Sequence, residues 1–412
     1  MLTRSRRRAV RPAWVALATL VALLILHPRQ AGSVERQALS GGYELSGPHR
    51  HDNLTIFLIH GPDRVRPGRL ITLEEALKQN KAVVHETGEV GQLLVENRSH
   101  DTEVFIQSGD IVKGGRQDRL ISFDLVLPPR SGKVAVVSLC VDQGRWQQRG
   151  KEAVTRFSSS TGQLPSKMLK IHGGNYGQFG ALGGQFGQLG QLGGNLGNLG
   201  GQFGLAGGTG RGQLGQLGNL GGGQLGVSGV AQFGQLGGQF GQQGGVWNEI
   251  GQLQGRLQAK IGSSVQSKAS PSSLQLTLEH PRVEEAIEKY TRPLAEAVSD
   301  HKDVVGYAFA INGKVNSVEV YGNAELFAKL WPKLLRANAL EAFLEHEKGK
   351  RYSDVTEQTV RAVLVDAERG ALTTKDINRR VQVQMRETPN TLLFETQDRA
   401  RGTWLHRSYL TK

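Results

Sequence analysis

Six residues carry the most promising chemistry in the chain: Asp110, Gln117, Arg119, Asp142, Arg145 and Trp146. They fall in two short blocks, and the first also holds the Gly114-Gly115 pair. A glycine turn can present backbone N–H groups to an anion, and two guanidiniums offer bidentate forks to a phosphate or carboxylate. Trp146 would then stack on a ring. The same residues also suit a structural role, with Arg145 pairing to Asp142 or Asp110 across a turn and Trp146 sealing a core edge. The ligand reading predicts that Arg145→Ala abolishes anion binding with little change in melting temperature.

Other chemistry is easier to set aside. Cys140 ends the apolar run Val134 to Val141, which suits a buried, inert thiol better than a nucleophile with a lowered pKa. As the sole cysteine it excludes an intramolecular disulfide. His49-Arg50-His51 reads as a solvated turn, so no metal site is expected. Glu74-Glu75 and Glu284-Glu285 sit on expected helices, where adjacent side chains point to different sides. No Gly-x-Ser-x-Gly elbow, phosphate loop or His-Glu-x-x-His is present. No catalytic residue is identifiable, no cofactor is expected, and the balance lies against an enzyme.

The elements that must hold these residues are mostly short strands. Val, Ile and Leu are abundant over Leu54–His60, Ala82–His85, Gln92–Glu96, Val104–Gln107, Arg119–Leu127 and Lys133–Val141, with turn clusters between them. Thr72 and Glu75 form a capping box ahead of a helix over Leu73–Gln79. Further on, helices are expected over Gln252–Ile261 and Arg282–Ser299, the second bent or divided by Pro293. Val304–Ile311 and Val315–Tyr321 flank Asn312-Gly313, a pair suited to a type I′ hairpin. Asn323 should cap a helix through about Glu347, kinked or restarted at Trp331-Pro332. The tail adds a helix over Val355–Ala367 and strands near 380–385, 391–397 and 403–410. The fold class is α+β: a β-rich, sandwich-like or barrel-like N-terminal half completed by helices and a β-hairpin from the C-terminal half.

Composition divides the 412 residues further. Arg4, Arg6, Arg7, Arg8 and Arg11 precede an apolar run from Ala13 to Leu26, the pattern of a secretory signal over residues 1–31. Uncleaved, that segment would act as a membrane anchor, though it is short for a permanent span. The expected address is therefore secreted, periplasmic or anchored outside the cytoplasm. Of the formal net charge of +13, six arginines belong to this segment. The remaining surplus suits solubility more than nucleic-acid binding, and no basic stretch is interleaved with aromatics. Residues 173–245 hold 31 of the 55 glycines and one charged residue, Arg211, in Gly-Gln-Phe-Gly and Gly-Gln-Leu-Gly tetrads. Such a segment cannot close a core and reads as a disordered insert, or as one that self-associates. Loop closure costs only about 0.6 kcal/mol per doubling of length, so the insert can interrupt one domain. The expected boundaries are 53–172 for a first half, 246–345 for a second half and 346–412 for a C-terminal region.

Several blocks resemble a known family. They are Asn53 to Phe57, Thr72 to Leu77, Val95 to Ser99, Ser108-Gly109-Asp110, Gly114 to Arg119, Cys140 to Trp146, Val246-Trp247 and Val318 to Phe327. Together they are similar to the ARG and rhodanese-phosphatase-superfamily-associated protein domain, a bacterial domain of unknown function. Asp142 stands where that family tends to have Glu. The resemblance implies a neighbourhood of ADP-ribosylglycohydrolases and rhodanese-like phosphatases, hence a link to ADP-ribose or NAD-derived compounds. Three functions follow as expectations. The foremost is an exported, non-catalytic binding or sensing module for an anionic or nucleotide-derived small molecule. The others are an enzyme acting on a phosphate- or ADP-ribose-bearing compound, and an envelope protein assembling through its insert.

Overall fold

Strands from both ends of the chain share one antiparallel sheet. Its eight strands run β1 (Glu44–His51), β2 (Leu54–His60), β12 (Val304–Ile311), β13 (Lys314–Tyr321), β17 (Thr403–Thr411), β16 (Thr391–Asp398), β15 (Val381–Glu387) and β14 (Ala371–Asp376). The computed structural model describes residues 42–89, 91–149, 157–173, 227–299 and 301–412, with backbone alone at 161 and over 227–242. The expected signal over residues 1–31 and most of the glycine-rich insert lie outside the described residues. Among the described residues, no helix is long and apolar enough to cross a membrane.

The N-terminal half builds a second, six-stranded sheet. Its order is β11 (Phe157–Gln163), β7 (Asp110–Gly114), β8 (Arg119–Ile121), β10 (Gly132–Cys140), β5 (Gln92–Asn97) and β4 (Ala82–Glu86). This sheet curls until β11 approaches β4, and a small sheet of β3 (Leu70–Thr72), β6 (Glu103–Ile106) and β9 (Leu125–Leu127) lies with it. The result is the nearly closed, barrel-like half expected from the short apolar strands. Val84, Leu93, Val95, Val112, Ile121 and Val136 fill its interior.

Among the described residues, seven helices complete the unit: α1 (Leu73–Lys78), α2 (Lys167–Gly173), α3 (Val227–Ile261), α4 (Leu274–Leu278), α5 (Pro281–Thr291), α6 (Ala324–Glu345) and α7 (Glu357–Glu368). Thr72 and Glu75 make the reciprocal capping box of α1, and the Asn323 side chain accepts from Leu326 N at the start of α6. Helix α6 runs through Pro332 without restarting, and Leu326, Phe327, Leu330, Trp331 and Leu334 bury its inner face. Pro293 does divide its helix, because α5 ends at Thr291 and a 3₁₀ turn follows from Ala295 to Val298. The 35-residue α3 begins well before the expected Gln252, inside the glycine-rich stretch.

The hairpin at Asn312-Gly313 forms as its sequence demands, with φ of +54° and +76° at the two turn residues. Strand β12 lies between β2 and β13, and its bulge against β2 falls at Val304/Gly306. A Cβ at Gly306 would stand 2.2 Å from the carbonyl oxygen of Glu319. Gly306→Ala is therefore expected to destabilise the fold by about 1–3 kcal/mol, read by urea unfolding.

Side chains alternate across the eight-stranded sheet with period two. Glu319, Tyr321, Phe394, Thr396 and His406 face inward toward α6 and the barrel half. Leu393, Glu395, Arg407 and Tyr409 face outward, on the side where Val360, Leu364 and Ala367 of α7 pack. The two faces create two different polar sites.

Candidate functional site

Five of the six residues expected from sequence meet where the β7–β8 turn approaches the end of β10. Gln117 Nε2 donates to the Asp142 carbonyl at 3.1 Å, and Arg145 Nε donates to Asp142 Oδ2 at 2.6 Å. Arg119, fully buried, lies 3.7 Å from Glu86 and 5.4 Å from the Trp146 ring centroid. Trp146 is 42% exposed and also carries Arg116 over its ring at 5.6 Å. Asp110 is engaged elsewhere, by Lys333 Nζ of α6 at 2.9 Å.

The centre of this knot is a residue that sequence reasoning passed over, Asp118. Its fully buried carboxylate accepts from Gly114 N at 3.0 Å, Arg145 Nη2 at 3.0 Å, Arg149 Nη1 at 2.8 Å and Ser273 Oγ at 3.1 Å. Burial pushes the Asp118 carboxyl up even though Arg149 and Arg145 pull it down. Asp142 Oδ1 in turn accepts from Ser270 at 2.5 Å and Ser272 at 3.2 Å. The Arg145 fork is thus filled by protein carboxylates, and the cluster braces the N-terminal half against residues 270–273. Asp118 stands beside Arg119 in sequence; its partner Ser273 gave no signal, being more than a hundred residues away.

Cys140 is buried, and burial pushes its thiol up to about 11, as an inert core cysteine requires. Its backbone is gripped by Gln243 of α3, whose amide accepts from Cys140 N at 2.8 Å and donates to Cys140 O at 2.7 Å.

A second cluster lies on the inner face of the large sheet. His406 bridges two buried carboxylates, with Nδ1 2.8 Å from Asp124 and Nε2 3.0 Å from Glu319. Tyr321 stacks on the imidazole with centroids 4.4 Å apart, and its hydroxyl accepts from Gln107 Nε2 at 2.6 Å. Asp124 also accepts from Ser108 N at 2.7 Å and Thr396 Oγ1 at 2.6 Å. Burial opposes charge on His406, but Asp124 and Glu319 outweigh it and raise its pKa to about 9. Burial alone would push both carboxyls up; His406 reverses this for Asp124, and Lys170 with His406 does so for Glu319.

The cluster borders a cavity of about 40 Å³ lined by Gln107, Gln163, Lys170, Glu319, His406 and Ser408. Gln107 Oε1 and Gln163 Oε1 find no partner among the described residues, and a polar space of this size admits a few waters that would serve them. Both imidazole nitrogens are engaged, so His406 has no lone pair with which to take a proton from a substrate.

On the outer face, cross-strand pairing sets Glu395 opposite Arg407 and Leu393 opposite both Arg386 and Tyr409. Arg64, arriving from the segment after β2, donates to Tyr43 Oη at 2.7 Å and lies 5.1 Å from the Trp404 ring centroid. Arg407 covers the same ring at 4.6 Å and pairs with Glu395 and Glu368. Arg64, Arg386 and Arg407, with Glu368, Glu395, Leu393 and Trp404, surround a groove of about 370 Å³.

Fold and sites define a class of protein: an α+β domain whose barrel-like half is completed by a sheet drawn from both ends of the chain. The chain belongs to the ARG and Rhodanese-Phosphatase-superfamily-associated Protein domain family, whose model matches residues 42–173 and 230–410. The match runs past residue 345 to the last strand, and its gap falls on the glycine-rich stretch. No curated protein and no solved structure matches the chain.

Proposed function

We propose that the protein is an exported binding module that holds a small anionic molecule, phosphate-bearing or nucleotide-derived, in the arginine groove. The observation that supports this is the convergence of three guanidiniums on about 370 Å³ of open space, with two carboxylates to offset them. Guanidinium forks match phosphate and carboxylate geometry, and Arg64 is exposed while Arg386 is half-buried. The basic N-terminal segment and the apolar run behind it support export. On this reading the ligand lies on the outer face of the large sheet and not at the Asp142–Arg145 block of the barrel-like half.

Calorimetric titration of the full chain with ADP-ribose and with inorganic pyrophosphate tests the reading. A charge-assisted hydrogen bond contributes about 1.5–3 kcal/mol. Arg64→Ala and Arg386→Ala should therefore each weaken binding by about 10–100-fold, with a melting temperature close to that of the wild type. Binding that is undetectable in the wild type, or unchanged from the wild type in both variants, sinks it.

A second reading, an enzyme acting on such a compound, draws on the buried acid–base cluster of Asp124, Glu319 and His406. The engaged imidazole argues against it. Chromatography of ADP-ribose after prolonged incubation decides between the two, since conversion that is lost in Asp124→Asn would favour the enzyme. Assembly through the insert concerns residues outside those described.

A further inference from the structure

His60 closes β2, and His301 and Asp303 lie in the segment that leads into β12. His60 is buried, His301 half-buried and Asp303 exposed, and one ligand atom from each lies within 4.8 Å of the other two. His60 Nδ1 stands 3.0 Å from Asp303 Oδ1, and the His301 ring packs edge-on to His60 with centroids 5.1 Å apart. The other nitrogen of His60, Nε2, lies 2.7 Å from Ser46 Oγ on β1. None of these groups takes part in the brace, the His406 cluster or the arginine groove.

We propose that His60, His301 and Asp303 form a binding site for a divalent transition-metal ion of the zinc type. Two imidazoles and one carboxylate are a common three-ligand set for such ions, leaving a fourth position for water. With bonds of about 2.0–2.2 Å, tetrahedral ligand atoms sit roughly 3.3–3.6 Å apart. The His60–Asp303 pair is already near that spacing. His301 closes it by a small rotation, for which its partial exposure leaves room. When Nε2–H of His60 donates to Ser46 Oγ, Nδ1 presents its lone pair beside the Asp303 carboxylate. Two acceptors at that distance need a proton or a cation between them. An acceptor that fixes the far nitrogen is the usual support for a ligating histidine, and here Ser46 Oγ fills that place. A metal here would tie the end of β2 to the entry of β12, joining the two halves of the chain across the insert.

The test is titration of the chelator-stripped full-length protein with Zn2+, followed calorimetrically, and with Co2+, followed by visible absorption. One equivalent should bind, and Co2+ should show the intense ligand-field bands of a four-coordinate site. His301→Ala and Asp303→Asn change side chains that are not fully buried, so both variants should fold. Each should weaken Zn2+ binding by more than tenfold and abolish the Co2+ bands, and Ser46→Ala should weaken it by about 10–100-fold. Failure to bind an equivalent of metal would overturn the proposal. Binding that is the same in wild type, His301→Ala and Asp303→Asn would overturn it too, and would leave only a His60–Asp303 hydrogen bond.

Discussion

Arg145→Ala is expected to lower the unfolding free energy by about 3–5 kcal/mol and to leave the affinity for anions unchanged. Both outcomes follow the structural role that the sequence allowed this residue and oppose the ligand role. Arg145 is 5% exposed, and its three guanidinium nitrogens reach Asp142, Asp118 and the carbonyls of Gly115 and Gln147. Removing it strands two fully buried carboxylates whose remaining partners are Arg149, serines and backbone. Uncompensated buried charge is among the most destabilising single changes known. Arg145→Lys should recover part of the loss, because one ammonium can meet either carboxylate but lacks the planar fork that spans both. Urea unfolding alongside pyrophosphate titration reads both quantities. A tenfold loss of affinity at unchanged stability would restore the ligand reading of this cluster.

The second large effect is a dependence on alkaline pH. His406 has a folded pKa of about 9 against an ordinary 6.5. A group raised in the folded state contributes stability that is complete below its unfolded pKa and is lost as pH rises through the folded one. The contribution of His406 is therefore full below about pH 6.5 and gone above about pH 9, a fall of about 3 kcal/mol. Asp124 and Glu319 are lowered, so their contribution is present above the ordinary carboxylate range and lost as pH falls through their folded values. The cluster is thus most stabilising between about pH 4.5 and 6.5. Unfolding measured at several pH values should show this alkaline decline in the wild type and a flatter limb in His406→Gln. Parallel curves for the two proteins would remove His406 as its cause.

Local signals carried much of the fold. Strand β2, the Asn312-Gly313 hairpin, the Thr72 capping box and the Asn323 cap all follow from neighbouring residues, and these elements formed where the sequence placed them. Strand β1 was not legible, because Glu44 to His51 is polar and bulged, an edge strand with one good apolar residue, Leu45. The span Arg119–Leu127 reads as one strand but is two, since Asp124 leaves the ladder to meet His406. The sites were harder still. Asp118, Ser270 and Ser273 become neighbours only through tertiary folding, and no period or spacing links them. The His406 cluster did leave a trace: Glu319 and His406 occupy inward positions on apolar strands, where a charge must find a partner. Reading the alternation for polar residues on the buried face would have found it. The arginine groove left none, because outward arginines on a sheet look like ordinary surface.

The pairing of β2 with β12 also sets a timetable. About 240 residues separate the two strands, so at roughly 5–20 residues per second a ribosome needs on the order of 12–50 s to deliver the second after the first. Throughout that interval the nascent chain carries a strongly apolar strand, Leu54 to His60, with one edge unsatisfied. Holdase chaperones therefore meet a client that cannot finish folding early.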